Sequence, residues 1–260
     1  MEPKKSLGQH WLKDLTTLKS IAEAAELDKS DSVLEIGPGP GGLTQLLIEQ
    51  AGQVIAVEVD KKLAANLHQK YNLPQLNVVA GDILKFDLNQ LPADYKVVAN
   101  IPYYLTSNLI RLLSETNNQP RLAALLVQKE VAQRIAAKPG EMSLLSVSAQ
   151  LYFSTELGIV VKADLFEPPP KVDSQVIILK RRPKPLFADL DEKLLFQLVK
   201  AGFSGRRKKL RSSLAAGLRI NKTEADNLLR SASIDSDLRA QNLGLSDWHK
   251  LYKAFQSNTM

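Results

Sequence analysis

Runs of β-branched and other apolar residues alternate with stretches of helical spacing from residue 32 onward, and this alternation is what most restricts the fold. Five runs predict strands, at residues 32–39, 53–60, 76–83, 95–100 and 121–128. Helical patterns fill the gaps, at about 41–51, 61–71, 106–116 and 129–137. Repeated strand-then-helix units build a parallel sheet covered by helices. The sequence therefore predicts an α/β fold with helices on both faces of the sheet.

The second half of the chain changes character twice. Residues 143–153 have helical spacing, whereas 156–163 and 174–182 are strand-like and are separated by the segment FEPPPKVD. We expect these two strands to pair antiparallel at the sheet edge. Beyond Arg182 a Pro-punctuated linker leads into Leu, Ala and charged residues at helical spacing. The sequence thus predicts an α/β domain over residues 1–182 and a small all-helical domain over 183–260.

A glycine-rich segment follows the first predicted strand and precedes a helix. Gly37, Gly39 and Gly42 fit the pattern G-x-G-x-x-G, and Glu58 ends the second strand 21 residues beyond Gly37. A dinucleotide oxidoreductase uses such glycines for a pyrophosphate and the acid for a ribose hydroxyl. An S-adenosylmethionine enzyme uses the same turn beside the methionine part of its cofactor and the same acid for both ribose hydroxyls. The glycines and Glu58 alone allow either use, or only a tight turn.

Two further strand ends favour S-adenosylmethionine. Asp82 follows the third strand, where a carboxylate can accept a hydrogen bond from the exocyclic amine of the cofactor's adenine. Asn100 ends the fourth strand and is followed by Ile101, Pro102 and Tyr103. This cluster has a role in methyl transfer to an amine and none in hydride transfer. Because the carboxyl ends of parallel strands meet at one edge of a sheet, we expect one common pocket.

The cluster after the fourth strand suits methylation of adenine. The exocyclic nitrogen is a poor nucleophile because its lone pair is delocalised into the ring. Two acceptors on its N–H bonds favour a pyramidal nitrogen, and the Asn100 amide oxygen and the Ile101 carbonyl, aimed by the fixed φ of Pro102, are such groups. Tyr103 supplies a stacking face worth about 1–3 kcal/mol, and only a single-stranded or flipped-out base fits such a pocket. The alternative is a strand terminator followed by core tyrosines, and the role of Tyr104 stays open.

The composition excludes several kinds of chemistry. The chain has no cysteine, so it has no disulfide, thiolate metal site or thiol nucleophile, and C5 methylation of a pyrimidine through a cysteine adduct is disfavoured. Three scattered histidines show no metal-ligand spacing, so we expect no bound metal. No apolar run reaches about 18 residues and the N-terminal segment does not resemble a signal peptide. We therefore expect a cytoplasmic protein without membrane association.

Positive charge is concentrated in one part of the chain. Residues 171–219 contain 13 basic and 4 acidic residues, although the net charge of the whole chain is only +6. The densest run is RRKKLR, which contains Arg206, Arg207, Lys208, Lys209 and Arg211. Clustered Lys and Arg bind nucleic-acid phosphates, so this run predicts an RNA-binding surface. The alternative is a solvated helix face.

A series of segments, in chain order, resembles the ribosomal RNA adenine N6-dimethyltransferase family, in particular the branch that acts on small-subunit RNA. KKSLGQHWL resembles the N-terminal element, VLEIGPGPGGLT, VIAVEVD and GDIL the cofactor motifs, and NIPYYLTS the catalytic motif. QKEVAQR, FEPPPKVDS and GFSGRRKKLRSSL match further blocks. The resemblance extends from about residue 4 to about residue 215. His10 and Trp11 stand where Asn and Phe are commoner in the family, and RRKKLRSS replaces R-R-K-T-L-R-N.

The resemblance implies a Rossmann-like methyltransferase sheet and S-adenosylmethionine as cofactor. The residues it places at the cofactor are His10, Leu12, Gly37, Glu58, Asp82 and Asn100. It implies that Tyr103 and Phe166 sandwich the target adenine, next to Asn100, Ile101 and Pro102. The implied reaction is N6,N6-dimethylation of two adjacent adenosines near the 3′ end of small-subunit (16S) ribosomal RNA, on a partly assembled small subunit during ribosome biogenesis. We expect a monomer.

Three other functions remain to be separated from this one. A large-subunit (23S) ribosomal RNA adenine methyltransferase conferring antibiotic resistance shares the chemistry, although KKSLGQHWL and PPPKVDSQVIILKRR favour the small-subunit branch. A non-catalytic RNA-binding assembly or transcription factor would not need Glu58, Asp82, Asn100 and Tyr103 together. A nicotinamide oxidoreductase remains the third alternative.

Overall fold

The computed structural model of the protein describes residues 2–4, 7–205 and 207–259. Its contacts divide the chain into two compact units. The first comprises Met1–Gln133 and Phe153–Arg181, and the second comprises Arg134–Tyr152 and Arg182–Met260. The chain passes from the first unit to the second for the last time between Arg181 and Arg182. The structure differs from the prediction for residues 134–152, which group with the C-terminal helices.

The described residues form the following strands and helices. The strands are β1 (Trp11–Leu12), β2 (Ser32–Ile36), β3 (Gln53–Glu58), β4 (Leu76–Ala80), β5 (Lys96–Asn100), β6 (Leu122–Gln128), β7 (Phe153–Val161), β8 (Phe166–Glu167) and β9 (Ser174–Arg181). The helices are α1 (Leu15–Glu23), α2 (Gly42–Gln50), α3 (Lys61–Lys70), α4 (Thr106–Glu115), α5 (Lys129–Ile135), α6 (Leu144–Tyr152), α7 (Glu192–Phe203), α8 (Leu210–Leu218), α9 (Lys222–Ser231) and α10 (Leu245–Thr259).

One seven-stranded sheet organises the first unit. Its strand order is β4-β3-β2-β5-β6-β9-β7. The five strands from β4 to β6 are parallel, whereas β9 runs antiparallel to both β6 and β7. The predicted α/β fold and the predicted antiparallel pair at the sheet edge are therefore confirmed. Because parallel neighbours share one direction, β2, β3, β4 and β5 end at the same edge.

The central strands are apolar because the sheet is covered on both faces. In β2, β3, β5 and β6 nearly every residue is buried, as expected for parallel strands between helical layers. On one face, Leu18 and Ile21 of α1 and Leu47 of α2 belong to the same apolar cluster as Val54 and Ala124 of the sheet. This packing fixes the strand ends that the candidate site uses.

One helix and one pair of short strands in the first unit were absent from the prediction. Helix α1 begins at a cap in which the Asp14 side chain accepts a hydrogen bond from Thr17 N at 2.7 Å. Strands β1 and β8 form a two-residue antiparallel pair that aligns Trp11 with Glu167 and Leu12 with Phe166. A pair of two-residue strands has no periodicity of its own, so a sequence pattern does not reveal it. The pairing brings the N-terminal segment beside Phe166.

The second unit is helical and has a separate apolar core. Trp248 is fully buried and packs with Leu198 of α7 and Leu214 of α8. Val147 and Leu151 of α6 are buried in the same cluster. This burial is the physical reason that residues 134–152 group with the C-terminal helices, since the apolar side of α6 needs a partner. A C-terminal helical part is thus present, as predicted.

Membrane-spanning helices and clusters of metal ligands are both absent from the described part of the chain. No helix there combines the length and the apolar character needed to span a membrane. Within the same residues, no group of three His, Asp or Glu side chains is arranged to hold a metal ion.

Candidate active site

A cavity of about 220 Å³ lies in the first unit, where the parallel strands end. Its lining includes every predicted cofactor and catalytic residue: His10, Leu12, Gly37, Glu58, Asp82, Asn100, Ile101, Pro102, Tyr103 and Phe166. These residues are spread over more than 150 positions of sequence. The parallel strands bring Gly37, Glu58, Asp82 and Asn100 together at one edge of the sheet, and the separate β1–β8 pair places Leu12 beside Phe166.

The turn after β2 leaves open space in front of its backbone. Gly37 has φ +66°, and its N–H donates to the Val57 carbonyl at 2.9 Å. A Cβ atom added at Gly37 or at Gly81 would meet no atom within 4 Å. The positive φ strongly favours glycine at position 37, and the absence of side chains at both positions lets a ligand approach the backbone closely. This concave turn fits an elongated cofactor.

Glu58 is a buried acceptor beside that turn. Its carboxylate accepts hydrogen bonds from Gly39 N at 3.1 Å and from Asp60 N at 2.9 Å. Each carboxylate oxygen has a second lone pair, so both oxygens retain capacity for the hydroxyls of a ribose. Burial raises the pKa of the Glu58 carboxyl above its ordinary value. The two backbone donors oppose that shift and favour the ionised, accepting form.

Asp82 forms another part of the cavity wall. Its carboxylate accepts from Leu84 N at 3.0 Å and caps the short 3₁₀ turn that follows β4. This bond fixes the side chain at the end of the third parallel strand while leaving acceptor capacity on the carboxylate. The side chain therefore stabilises a turn and also presents an acceptor to the cavity.

The orientation of the Asn100 amide is set by the N-terminal segment. Its Nδ2 donates to the His10 carbonyl at 3.2 Å. Because the amide nitrogen is engaged there, the amide oxygen is the group left to accept a hydrogen bond from a ligand. Ile101 N donates to the Leu126 carbonyl at 3.2 Å, and Pro102 has φ −54° and ψ 129°. The backbone after Asn100 is thus held by β6 on one side and by the proline ring on the other.

Two rings lie face to face across this part of the cavity. The His10 and Tyr103 ring centroids are 6.0 Å apart with an interplanar angle of 23°. His10 Nδ1 lies 2.6 Å from the Pro168 carbonyl and donates to it, since a carbonyl only accepts. The Tyr103 hydroxyl and Ser174 Oγ share a hydrogen bond at 2.8 Å. Burial raises the pKa of Tyr103 above its ordinary value, so its hydroxyl stays neutral.

The other aromatic residues of the site differ in exposure. Phe166 lines the cavity but is only 4% exposed and packs within the apolar cluster of the sheet. Tyr104 is 64% exposed and also lines the cavity, with its ring against Gly8. Tyr104 therefore belongs to the cavity wall, which the sequence left undecided.

Glu35 is a residue of the cavity to which the sequence analysis gave no role. It is fully buried in β2, and neither carboxylate oxygen makes a hydrogen bond of good geometry among the described residues, although the nearby Thr44 side chain opposes the rise of its pKa. Burial raises the pKa of its carboxyl to about 8, so the group is largely protonated at neutral pH. The available signal was an acid within the otherwise apolar strand SVLEI. Ser174, the last residue of the segment FEPPPKVDS, lies outside the cavity lining but contacts Tyr103.

The basic run lies in the second unit, and its charges are not equivalent. Arg206 lies outside the described residues. Lys209 Nζ pairs with Asp237 at 2.8 Å, and Arg211 pairs with Asp226 at 3.6 Å. Arg207 and Lys208 are exposed and have no acidic partner in the part of the chain that the structure describes. These two residues are therefore the most available for phosphate groups.

Comparison with known proteins gave consistent results. The family model described as ribosomal RNA adenine dimethylase matches residues 1–257. A protein of Dehalococcoides mccartyi strain CBDB1 named ribosomal RNA small subunit methyltransferase A is 40% identical over 262 residues, which is 99% of this chain and 90% of that protein. A Clostridium botulinum protein of the same name is 41% identical, over 95% of this chain and 92% of that protein.

Two solved structures share the fold at useful sequence identity. A dimethyladenosine transferase from Plasmodium falciparum superposes with a TM-score of 0.83 at 28% identity, over 96% of this chain and 99% of that one. The 23S rRNA methyltransferase ErmE gives a TM-score of 0.76 at 30% identity, over 95% of this chain and 99% of that one. The predicted Rossmann-like methyltransferase architecture is confirmed by these likenesses.

Proposed function

We propose, since the chain belongs to the ribosomal RNA adenine dimethylase family, that it dimethylates N6 of two adjacent adenosines near the 3′ end of small-subunit ribosomal RNA during ribosome biogenesis. The enzyme uses S-adenosylmethionine as methyl donor. The observation that carries the proposal is the convergence of Glu58, Asp82 and Asn100 on one cavity, with the Asn100 amide oxygen left as an acceptor.

Small-subunit RNA is favoured over large-subunit RNA by the relatives. The chain is about 40% identical to proteins named for the small subunit, over nearly their full length. Its identity to the 23S rRNA methyltransferase ErmE is 30%. A non-catalytic RNA-binding factor is disfavoured because the cavity retains the complete set of strand-end polar residues. The large-subunit alternative has no observation of its own in this structure.

The cofactor end of the cavity is formed by the glycine turn and the two acids. S-adenosylmethionine supplies, when bound, an electrophilic methyl group carried on a positively charged sulfur. In our proposal the turn at Gly37 admits the methionine part, and the Glu58 carboxylate accepts from the ribose hydroxyls. Asp82 accepts from the adenine amine of the cofactor, and His10 and Leu12 close the cavity from the N-terminal segment.

The substrate end is formed by the segment after β5. The Asn100 amide oxygen and the Ile101 carbonyl accept from the two N–H bonds of the target amine and draw it toward the pyramidal geometry that attack requires. Pro102 fixes the backbone that aims them. The amine becomes acidic only when it gains the methyl group, so these residues need not remove a proton beforehand. Hydrogen bonding that strengthens as positive charge develops on the amine stabilises the transition state.

Aromatic residues hold the base. Tyr103 stacks on the target adenine, and Phe166 closes the other side of the slot. Phe166 is buried in the cavity wall. The target adenine therefore contacts its ring only by entering the full depth of the cavity. Such depth excludes a base paired in a duplex, so the substrate is a single-stranded or flipped-out adenosine.

The two domains have separate roles in this proposal. The first unit binds the cofactor and carries the chemistry, and the second unit binds RNA through Arg206, Arg207, Lys208, Lys209 and Arg211. The enzyme acts as a monomer without a metal ion, on a partly assembled small subunit in the cytoplasm. The basic character of residues 171–219 supports contact with a polyanion.

The substrate assignment is tested by methyl transfer from isotope-labelled S-adenosylmethionine to four purified substrates. These are naked small-subunit RNA, naked large-subunit RNA and the two corresponding ribosomal particles, all from cells lacking the modification. We expect N6,N6-dimethyladenosine in small-subunit RNA, with the partly assembled particle as the best substrate. Product confined to large-subunit RNA would refute the assignment.

A further inference from the structure

The Tyr103 ring is attached to the sheet through its hydroxyl. Tyr103 begins a short 3₁₀ turn, Tyr103–Leu105, directly after Pro102, and its backbone therefore lies outside any strand or long helix. The hydroxyl, at the far end of the ring, shares the 2.8 Å hydrogen bond with Ser174 Oγ. The ring is thus fixed at both ends, by the proline-restricted backbone and by the serine.

Ser174 is itself held firmly. It is the first residue of β9, it is fully buried, and it lies opposite Gln128 of β6 and Val161 of β7. The preceding residue, Asp173, accepts from Lys129 N at 3.0 Å through its carbonyl. The Asp173 carboxylate accepts from Ala163 N at 3.1 Å and pairs with Lys162 at 2.9 Å. Two stretches of chain, residues 128–129 and 161–163, therefore fix the backbone that carries the Ser174 hydroxyl.

We propose that Ser174 is a positioning residue for methyl transfer, which holds the Tyr103 ring in the plane against which the target adenine stacks. The inference rests on the proposed function and goes beyond it, because Ser174 does not line the cavity. A stacked base follows the plane of its partner ring. Rotation of the Tyr103 ring therefore moves the adenine amine away from Asn100 and out of line with the methyl donor.

The position of the Tyr103–Ser174 hydrogen bond favours a positioning role for Ser174 over a contact that only satisfies a buried hydroxyl group. Tyr103 is only half-buried, so water can reach part of the side chain. The Tyr103 hydroxyl is nevertheless hydrogen-bonded to Ser174, which is fully buried on β9 between two neighbouring strands. The Tyr103 ring belongs to the segment that presents the Asn100 and Ile101 acceptors. The contact thus links the rigid sheet to the side of the site that grips the base.

The test measures kcat and KM for the small-subunit substrate with Ser174→Ala, Tyr103→Phe, the double variant and Ser174→Thr. Loss of the bond from either side should lower kcat about 10-fold, as expected when a reacting group is misplaced. The double variant should be no slower than either single variant, because the two changes remove the same bond. Ser174→Thr keeps a hydroxyl and should recover most of the lost rate. KM for RNA and the affinity for S-adenosylmethionine should stay unchanged.

The matched control is Ser154→Ala on β7, since Ser154 is exposed and its hydroxyl donates to the Lys180 carbonyl at 3.3 Å. It should keep the kcat of the unaltered protein. Unchanged kcat in both Ser174→Ala and Tyr103→Phe, or additive losses in the double variant, would overturn the positioning role. A kcat loss that accompanies weaker S-adenosylmethionine binding would also overturn it, as a general structural defect. Absence of product with the unaltered protein would instead reject the proposed function and this inference with it.

Discussion

At the residue scale, Glu35 couples the stability of the protein to pH. Its carboxyl is fully buried, and burial raises its pKa from 4.5 to about 8 against the smaller opposing effect of the Thr44 side chain. Between these values the folded state keeps a proton that the unfolded chain has released. The free energy of unfolding therefore falls as pH rises through this window, by about 1.4 kcal/mol per pH unit from this group. Above pH 8 the contribution no longer changes.

Replacing Glu35 by Gln should remove that dependence. We expect the unfolding free energy of Glu35→Gln, measured by urea unfolding from pH 5 to pH 9, to vary less with pH than that of the unaltered protein. Glu49→Gln on α2 is the control, because Glu49 is exposed. Parallel pH profiles for the Glu35 variant and the unaltered protein would contradict a protonated buried carboxyl.

Gly37 tests whether the open turn is the cofactor site. An alanine there would be strained by the positive φ, at a cost of roughly 1–2 kcal/mol, and its Cβ would project into the cavity. We expect Gly37→Ala to weaken binding of S-adenosylhomocysteine at least about 10-fold, measured by titration calorimetry. Gly140→Ala is the control, since Gly140 also has positive φ and open space around it but does not line the cavity. Equal affinities in the two variants would contradict the assignment.

The convergence of strand-end residues on one cavity was predictable from the sequence. Gly37, Glu58, Asp82 and Asn100 line one cavity because strand direction alone decides where such residues meet. Contacts made through hydroxyl and carbonyl groups far apart in the chain were not predictable. The bond between Tyr103 and Ser174 depends on the register of β9, which no local pattern encodes.

At the element scale, the basic segment before α8 should carry measurable RNA affinity. Arg207 and Lys208 are exposed and without acidic partners among the described residues, whereas Lys209 and Arg211 are paired with acids. We expect the double variant Arg207→Ala/Lys208→Ala to weaken RNA binding. We also expect it to reduce the slope of log affinity against log salt by up to about 2, because each lost phosphate contact removes roughly one released counterion.

A charge-matched control distinguishes an effect of this basic segment from an effect of net charge. Lys222→Ala/Lys250→Ala removes two charges from the same unit outside the run, and both lysines are exposed. Filter binding at several salt concentrations should show the larger loss of slope for the Arg207 and Lys208 pair. Identical slopes for the two double variants would show that the run has no special role.

Helices and strands were predicted where the apolar residues recur with a clear period, and they were missed where only tertiary packing determines the structure. The five parallel strands and the antiparallel edge pair follow from apolar runs buried on both faces of a sheet. The β1–β8 pair is too short to have a pattern. Helix α6 groups with the C-terminal helices because they supply the apolar residues that cover Val147 and Leu151. Helical spacing in the sequence shows that one side of a helix is apolar, but it does not show which element covers that side.

At the scale of the whole molecule, cofactor preference separates this enzyme from a nicotinamide oxidoreductase with a similar glycine turn. A ligand at 100 times its dissociation constant stabilises the folded state by about 2.7 kcal/mol. S-adenosylhomocysteine at that excess should therefore raise the melting temperature by roughly 5–10 °C in a protein of this size. NAD at the same concentration should leave it unchanged. Stabilisation by NAD and not by S-adenosylhomocysteine would favour the oxidoreductase.

In our proposal the protein dimethylates adenosine in small-subunit RNA at the strand-end cavity, through Asn100. The most direct test of this proposal is mass spectrometry of that RNA after incubation of unmodified small subunits with S-adenosylmethionine and the protein, its Asn100→Ala variant or its Asn89→Ala variant. Asn89 is exposed and outside the cavity. The unaltered protein and Asn89→Ala should form N6,N6-dimethyladenosine at equal rates, and Asn100→Ala should be at least about 100-fold slower. Equal rates for all three proteins, or no dimethyladenosine with the unaltered protein, would contradict the proposal.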